Sequence, residues 1–272
     1  MNQDFMKTKP IFPLVLSMSL PMMLSMLINS LYNIIDSMFV ARIGEDALTA
    51  VSLVYPLQTL VVSISVGFGV GINAAVAFFL GAGEKENADR SAAQGLLLSL
   101  LHGALLSVGG FLCIPYFLPL FTSDARILDW GMEYAYIVLS FSMVITVQIA
   151  FEKIYQAVGN MLVPMVCMAA GCITNIILDP VFIFGLGPIP RLEVKGAAIA
   201  TVIGQVVTLI LYLIWYFCKD MGLSLGRRNM KLTGEICGKL YTVGVPCSLT
   251  MGLPSLLITV LNGFAAAFSP VY

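Results

Sequence analysis

Charged residues are scarce in this sequence. Asp, Glu, Lys and Arg make up 11% of its 272 residues, whereas hydrophobic residues make up 59%. Soluble domains carry about 25% charged residues, and a soluble fold of this length cannot bury so much apolar surface. The net charge is −1, and lysine and arginine form no cluster dense enough to bind nucleic acid. We therefore predict an all-α, polytopic membrane helix bundle.

The residues that metalloenzymes and ATP-driven pumps need are also missing. His102 is the only histidine, which excludes the HExxH motif of zinc enzymes, and the six cysteines include no CxxC pair. The glycines Gly67, Gly69 and Gly71 lie in an uncharged run and lack dinucleotide spacing, so we expect Gly67 and Gly71 to allow close helix packing. With no Walker motif, we predict a protein that is not an enzyme and has no cofactor.

Seven apolar segments alternate with short polar connections. A membrane-spanning helix needs about 20 predominantly apolar residues. The candidate spans are approximately 12–40, 47–80, 91–121, 130–158, 161–186, 195–218 and 240–269. If the N-terminus is cytoplasmic, most of the 14 lysines and arginines fall on the cytoplasmic side, as the positive-inside rule requires. We predict a multi-pass protein of the plasma (inner) membrane with a cytoplasmic N-terminus.

An internal repeat predicts how the spans are organised. When each residue is aligned with the residue 225 positions later, Pro21 meets Pro246 and Ser30 meets Ser255. Parallel repeats of six helices occur among transporters. We therefore predict a six-helix lobe at 1–218, a basic cytoplasmic linker at 219–239, and the first helix of a second lobe at 240–272. The chain would then be a truncated transporter that lacks most of its second lobe, and we expect no coupled transport from it alone.

Two aspartates, Asp36 and Asp179, lie within the apolar segments. A charge at the bilayer centre costs about 2.5–3.5 kcal/mol on insertion scales, and such residues usually face a cavity. A desolvated carboxyl group can take up a proton, while an ionised one can hold Na⁺ or a cationic substrate. We predict that these carboxylates bind a coupling cation, H⁺ or Na⁺, and no other metal.

Other polar residues share helical faces with these aspartates or form stripes of their own. Asn29, Asn33 and Asp36 are spaced i, i+4 and i+7, and Asn175 precedes Asp179 by one turn. Thr201 and Gln205 form a third stripe, and Gln148 and Glu152 a fourth. Hydrogen bonding between helices would also explain such stripes, and Glu152 could pair with its neighbour Lys153. The candidate cavity-lining residues are Asn29, Asn33, Gln148, Glu152 and Gln205.

Several motifs in a fixed order resemble those of the multidrug and toxic compound extrusion (MATE) transporters. They are the span Pro21–Gly44 ending in NIIDSMFVARIG, Gly67-Phe-Gly-Val-Gly71, Leu80-Gly-Ala-Gly83, Gln156-Ala-Val-Gly159, Asn175-Ile-Ile-Leu-Asp179-Pro180, and Gly196-Ala-Ala-Ile-Ala-Thr201. The Asn-x-x-x-Asp-Pro element followed by Gly-Ala-Ala-x-Ala-Thr is the most specific part.

The resemblance implies twelve helices in two lobes around a central cavity, and export of amphipathic organic cations in exchange for H⁺ or Na⁺. It also implies a cation site at Asp36, Asn175, Asp179 and Thr201. Some relatives have an asparagine in the fourth helix near that site, at about the position of Glu152, so this chain departs from them there.

Two other functions remain open from the sequence. A lipid-linked saccharide flippase can share the two-lobed plan, but its cavity should carry more cationic residues for a pyrophosphate. A seven-helix receptor or retinal protein fits the number of spans, but no lysine follows Lys239 to form a Schiff base. A membrane enzyme is disfavoured because no nucleophile–base pair is evident.

Overall fold

The structure, a computed structural model, describes residues 10–185 and 190–268, which are helical and contain no strand. The helices are α1 (Ile11–Ala41), α2 (Glu45–Gly81), α3 (Lys85–Phe117), α4 (Ala125–Ser140), α5 (Ser142–Ala157), α6 (Leu162–Phe184), α7 (Glu193–Cys218) and α8 (Gly234–Phe268). Short 3-10 helices cover Leu118–Leu120 and Arg227–Met230. Residues 1–9, which include two lysines used to predict the orientation, and residues 269–272 lie outside the described ranges.

The predicted spans correspond to six long helices and one bent pair. Within the described ranges, α1, α2, α3, α6, α7 and α8 are each long and apolar enough to cross a bilayer, and α4 with α5 makes a further span bent by 46°. The prediction of an all-α polytopic bundle is confirmed. Several boundaries differ from it. The segment 130–158 is broken at Phe141, and three helices begin five or six residues earlier than predicted, at Lys85, Ala125 and Gly234.

The break at Phe141 occurs without a proline. The hydroxyls of Ser140 and Ser142 each donate to a backbone carbonyl within α4, at 2.5 and 2.7 Å. Ser107 of α3 donates to the carbonyl of Ser140 at 3.1 Å. Serine hydroxyls that bond to helix carbonyls compete with the amide ladder and bend helices. Sequence inspection missed this break because no proline or glycine lies near Phe141.

The helices pack as one bundle with two distinct ends. α1 packs mainly against α6, α6 pairs closely with α7, and α3, α5 and α8 all lie against α2. We call the end where α1 begins and residues 219–233 run the linker side, and the end where α1 finishes the far side. One apolar core cluster, around Ile72, occupies the linker side, and a second, around Val54, occupies the far side.

Two glycines of α2 allow α8 to approach closely. A β-carbon at Gly67 would overlap the backbone of Ser248, and one at Gly71 would overlap the carbonyl oxygen of Leu240. Nearby, Ser255 of α8 donates a hydrogen bond to the carbonyl of Pro56 at 2.6 Å. The prediction that Gly67 and Gly71 serve close helix packing is confirmed.

Candidate functional site

Asp36 and Asp179 meet between α1 and α6. Each aspartate lies in the last turns of its helix on the far side of the bundle. Asp179 is fully buried, Asp36 is partly buried, and their carboxyl groups are close enough to interact directly. The pairing follows from the packing of α1 along α6, which turns the aspartate faces of the two helices toward each other.

Asn175 and Thr201 extend this pair toward α7. The amide nitrogen Nδ2 of buried Asn175 donates to the hydroxyl of buried Thr201 at 3.4 Å. The contact is possible because Gly171 and Gly204 bring α6 and α7 together: a β-carbon at Gly204 would lie 2.9 Å from the carbonyl oxygen of Gly171. The structure therefore brings together all four residues that the sequence predicted as a cation site.

Three further residues join this cluster. The side chains of Tyr32 and Tyr134 both interact with Thr201 and lie near the two carboxyl groups. Gln58 of α2 donates from Nε2 to the hydroxyl of Tyr134 at 3.4 Å. Tyr32 could have been found, because it lies one turn before Asp36 on the same face of α1. Tyr134 and Gln58 could not have been found in this way, because they lie in α4 and α2 and helical spacing does not relate them to either aspartate.

The cluster contains two carboxyl groups, and no basic residue of the described ranges forms an ion pair with either of them. The ion pairs of the described residues all lie elsewhere. Several buried oxygens have no hydrogen bond partner of good geometry: Oδ1 of Asp36, both carboxyl oxygens of Asp179, and Oδ1 of Asn175. Burying carboxylates without a counter-charge is costly. Carboxylate, amide and hydroxyl oxygens suit a proton or a hard cation, so this arrangement can hold either one.

Four of the predicted cavity-lining residues make no hydrogen bond to the two aspartates within the described ranges. Asn29 and Asn33 are exposed on α1 and bond to each other, with Asn33 Nδ2 donating to Asn29 Oδ1 at 2.8 Å. The amide oxygens of Gln148 and Gln205 are buried and have no hydrogen bond partner. No hydrogen bond within the described ranges joins any of these four residues to the aspartates.

Glu152 also lies away from the aspartates. Its carboxylate pairs with the ammonium of Lys153 at 2.9 Å, and both side chains are largely buried in the linker-side half of α5. The expectation that Glu152 sits beside the cation site is therefore not met. Asp36 and Asp179 lie on the far side, which places them at the other end of the bundle. The ion pair that the sequence left open is the arrangement observed.

Comparison with known proteins decides the family. The sequence model of the MatE family matches residues 21–181, which is more than half of the chain. The chain belongs to the MatE family. The match covers Asp36, Asn175 and Asp179, whereas Thr201 lies beyond it. The predictions of a multi-pass membrane protein and of a transporter family are confirmed.

Individual MatE relatives are similar over most of this chain. The FAD transporter of Shewanella oneidensis is 30% identical over 203 residues, covering 74% of this chain and 45% of that protein. The multidrug export protein MepA of Staphylococcus aureus is 27% identical over 272 residues, covering 97% of this chain and 58% of MepA. A solved multidrug resistance MATE family transporter in an outward-facing conformation is 31% identical with a TM-score of 0.82, over 88% of this chain and 52% of that one. The chain thus spans about half the length of these relatives.

Proposed function

We propose that this chain forms the cation-coupling lobe of a secondary active antiporter that exports organic cations and similar amphipathic drugs in exchange for H⁺ or Na⁺ by alternating access. The observation that carries the proposal is the Asp36–Asp179 pair, in which Asp179 is fully and Asp36 partly buried, and which has no basic partner in the described residues. Similarity to a multidrug export protein supports a drug-like substrate.

In this proposal, the coupling ion and the substrate compete for one negative site. A single proton shared by Asp36 and Asp179 would remove most of the charge and supply a missing donor. Na⁺ would instead be coordinated by oxygens of both carboxylates, by Oδ1 of Asn175 and by the hydroxyl of Thr201. A cationic substrate neutralises the same carboxylates, so entry of one cation favours release of the other.

The proposed moving element is α1. Only Ser25 and Val40 of its described side chains are buried, so α1 is held by far fewer core contacts than α2. Elements with few buried contacts are the ones that rearrange at low free-energy cost. Cation binding at Asp36 would bend or repack α1 against α6 and displace the substrate toward the far side.

We place the linker side in the cytoplasm of a plasma membrane protein. Arg227, Arg228 and Lys231 lie in the linker-side connection, and basic residues accumulate in cytoplasmic loops. The proposed division is a six-helix lobe at 1–218, a linker at 219–239 and the first helix of a second lobe at 240–272. Because the relatives are nearly twice as long, coupled export is proposed for this lobe joined to a second one.

The Shewanella relative suggests a different cargo, because FAD carries two phosphates. Two unpaired carboxylates would repel such an anion at the far-side cluster. We therefore assign organic cations, and not a dinucleotide, to the aspartate site.

The test is transport by a chimera in which residues 1–272 are followed by the part of S. aureus MepA beyond the matched region. The fluorescent organic cation ethidium would be added outside inverted membrane vesicles, whose outer face is the cytoplasmic one, and its uptake would be followed under an imposed outward gradient of H⁺ or Na⁺. We expect gradient-dependent transport that is lost in Asp36→Asn and in Asp179→Asn.

Asp129→Asn is the matched control, because Asp129 is an exposed aspartate in α4 outside the cluster. It should transport like the parent chimera. If both cluster variants keep gradient-dependent transport, the assignment of the cation site is wrong.

A further inference from the structure

A cavity lies on the linker side, between α1, α2 and α5. Its volume is about 480 Å³, within the range of roughly 300–1,000 Å³ typical of small-molecule pockets. The lining residues are Met18, Met22, Val70, Asn73, Ala77, Lys153, Gln156, Ala157 and Met161. On α1, Met22 and Asp36 are separated by roughly 20 Å at the helical rise of 1.5 Å per residue, so this cavity is distinct from the aspartate cluster.

The cavity combines an adaptable apolar wall with one charged group. Met18, Met22 and Met161 present flexible, polarisable thioethers, which fit apolar ligands of varied shape. Among the described residues that line it, Lys153 is the only charged one, and Gln156 and Asn73 are its polar neighbours. The charged group at this cavity is thus basic, whereas those in the cluster of Asp36 and Asp179 are acidic.

The ammonium of Lys153 is held in a fixed position. Its Nζ donates to Oε1 of Glu152 at 2.9 Å and to Oε1 of Gln156 at 3.1 Å. Gln156 Nε2 donates in turn to Glu152 Oε1 at 2.9 Å, and Asn73 Nδ2 donates to the backbone carbonyl of Lys153 at 3.0 Å. The lysine stem passes against Gly69, where a β-carbon would lie only 2.8 Å from Lys153 Cγ.

This arrangement leaves one N–H donor of the Lys153 ammonium available for a ligand. An ammonium group has three N–H donors, and the described hydrogen bonds use two of them. Oε1 of Glu152 already accepts from both Lys153 and Gln156, and Glu152 is not among the residues that line the cavity. A ligand in the cavity therefore meets a pre-positioned donor beside an apolar wall.

We propose that the linker-side cavity binds an amphipathic organic acid, with Lys153 donating to the carboxylate and the three methionines packing against the apolar body. This goes beyond the proposed cation site, because it is a second site at the opposite end of the lobe with the opposite charge preference. Binding there does not depend on coupled transport, so the two proposals can fail separately.

The experiment compares three probes that share one aromatic body: 2-naphthoate, 2-naphthamide and 2-naphthylmethylammonium. Binding is measured by isothermal titration calorimetry to the chain in nanodiscs of zwitterionic phosphatidylcholine, with empty nanodiscs subtracted. Only naphthoate has a carboxylate that can accept a hydrogen bond from the Lys153 ammonium with both groups charged. We therefore expect naphthoate to bind at least about tenfold more tightly than the other two probes.

The decisive variant is the double substitution Glu152→Gln with Lys153→Met. It removes both charges together, so the net charge stays the same and no unpaired charge is left buried. We expect the preference for naphthoate to disappear. Ala77→Phe, which fills the cavity from an exposed position, should weaken all three probes.

Lys219→Met is the matched control, because Lys219 lies over the Trp215 ring outside the cavity. It should keep the preference for naphthoate. The proposal is overturned if the ammonium probe binds the unaltered chain as tightly as naphthoate, or if the double variant binds naphthoate as the unaltered chain does.

Discussion

The carboxyl groups of Asp36 and Asp179 face each other across the contact between α1 and α6. Both oxygens of Asp179 lack a hydrogen bond partner, and no basic residue of the described ranges compensates the charge. Two such groups together are stable only if a cation, a proton included, joins them. Two measurements follow from this cluster, and two more follow from a helix contact and an ion pair on the linker side.

Cation binding at the aspartate pair should stabilise the folded chain. A ligand that binds only the folded state, at 100 times its Kd, stabilises it by about 2.7 kcal/mol. We expect the Tm in detergent to rise when K⁺ is replaced by Na⁺ at constant ionic strength, or when the pH is lowered. The double variant Asp36→Asn with Asp179→Asn should lose that dependence, and Asp129→Asn should keep it. A shift that persists in the double variant would contradict a cation site here.

Thr201 should contribute through its hydroxyl. Thr201→Val keeps the shape of the side chain but removes the acceptor of the 3.4 Å hydrogen bond from Asn175. We expect this variant to shrink the cation-dependent Tm shift, whereas Thr201→Ser retains it. Equal shifts in the two variants would show that the hydroxyl takes no part, and that Thr201 serves packing alone.

Gly71 should be required for the contact between α2 and α8. Overpacking of a tight contact costs about 1–3 kcal/mol, and the β-carbon of Gly71→Ala would overlap the Leu240 carbonyl. We expect a lower free energy of unfolding, measured by SDS titration of the chain in mixed micelles. Gly109→Ala is the control, because nothing lies within 4 Å of its β-carbon. That variant should be neutral or slightly stabilising, since alanine favours the helix by up to about 1 kcal/mol.

The Glu152–Lys153 pair should show strong coupling in a double-mutant cycle. Removing one partner of a largely buried pair leaves the other charge without compensation, which is more costly than removing both. We expect Glu152→Gln and Lys153→Met each to lower the free energy of unfolding by at least about 1 kcal/mol more than the double variant does. Additive effects in the same SDS titration would show that solvent, not Lys153, compensates Glu152.

Features confined to one helix could be predicted from the residues alone. The low charge content and the apolar segments predict spanning helices, and Gly67 and Gly71 share one face of α2 and predict close packing. Asn175 lies one turn before Asp179, so their proximity follows from helical geometry. The family resemblance then added Thr201, which lies in another helix and shares no face with either residue.

Contacts between helices were decided by the tertiary structure. Tyr134 and Gln58 belong to the aspartate cluster, and Glu152 does not, because of how α2, α4 and α5 are rotated within the bundle. At the break near Phe141, Ser107 of α3, a residue from a different helix, donates to the carbonyl of Ser140. Helical periodicity acts through neighbouring residues and so specifies which side chains share a face. Which faces meet depends on the packing of side chains from several helices at once. That packing brings together Asp36 and Asp179, which are far apart in the sequence, in one cluster.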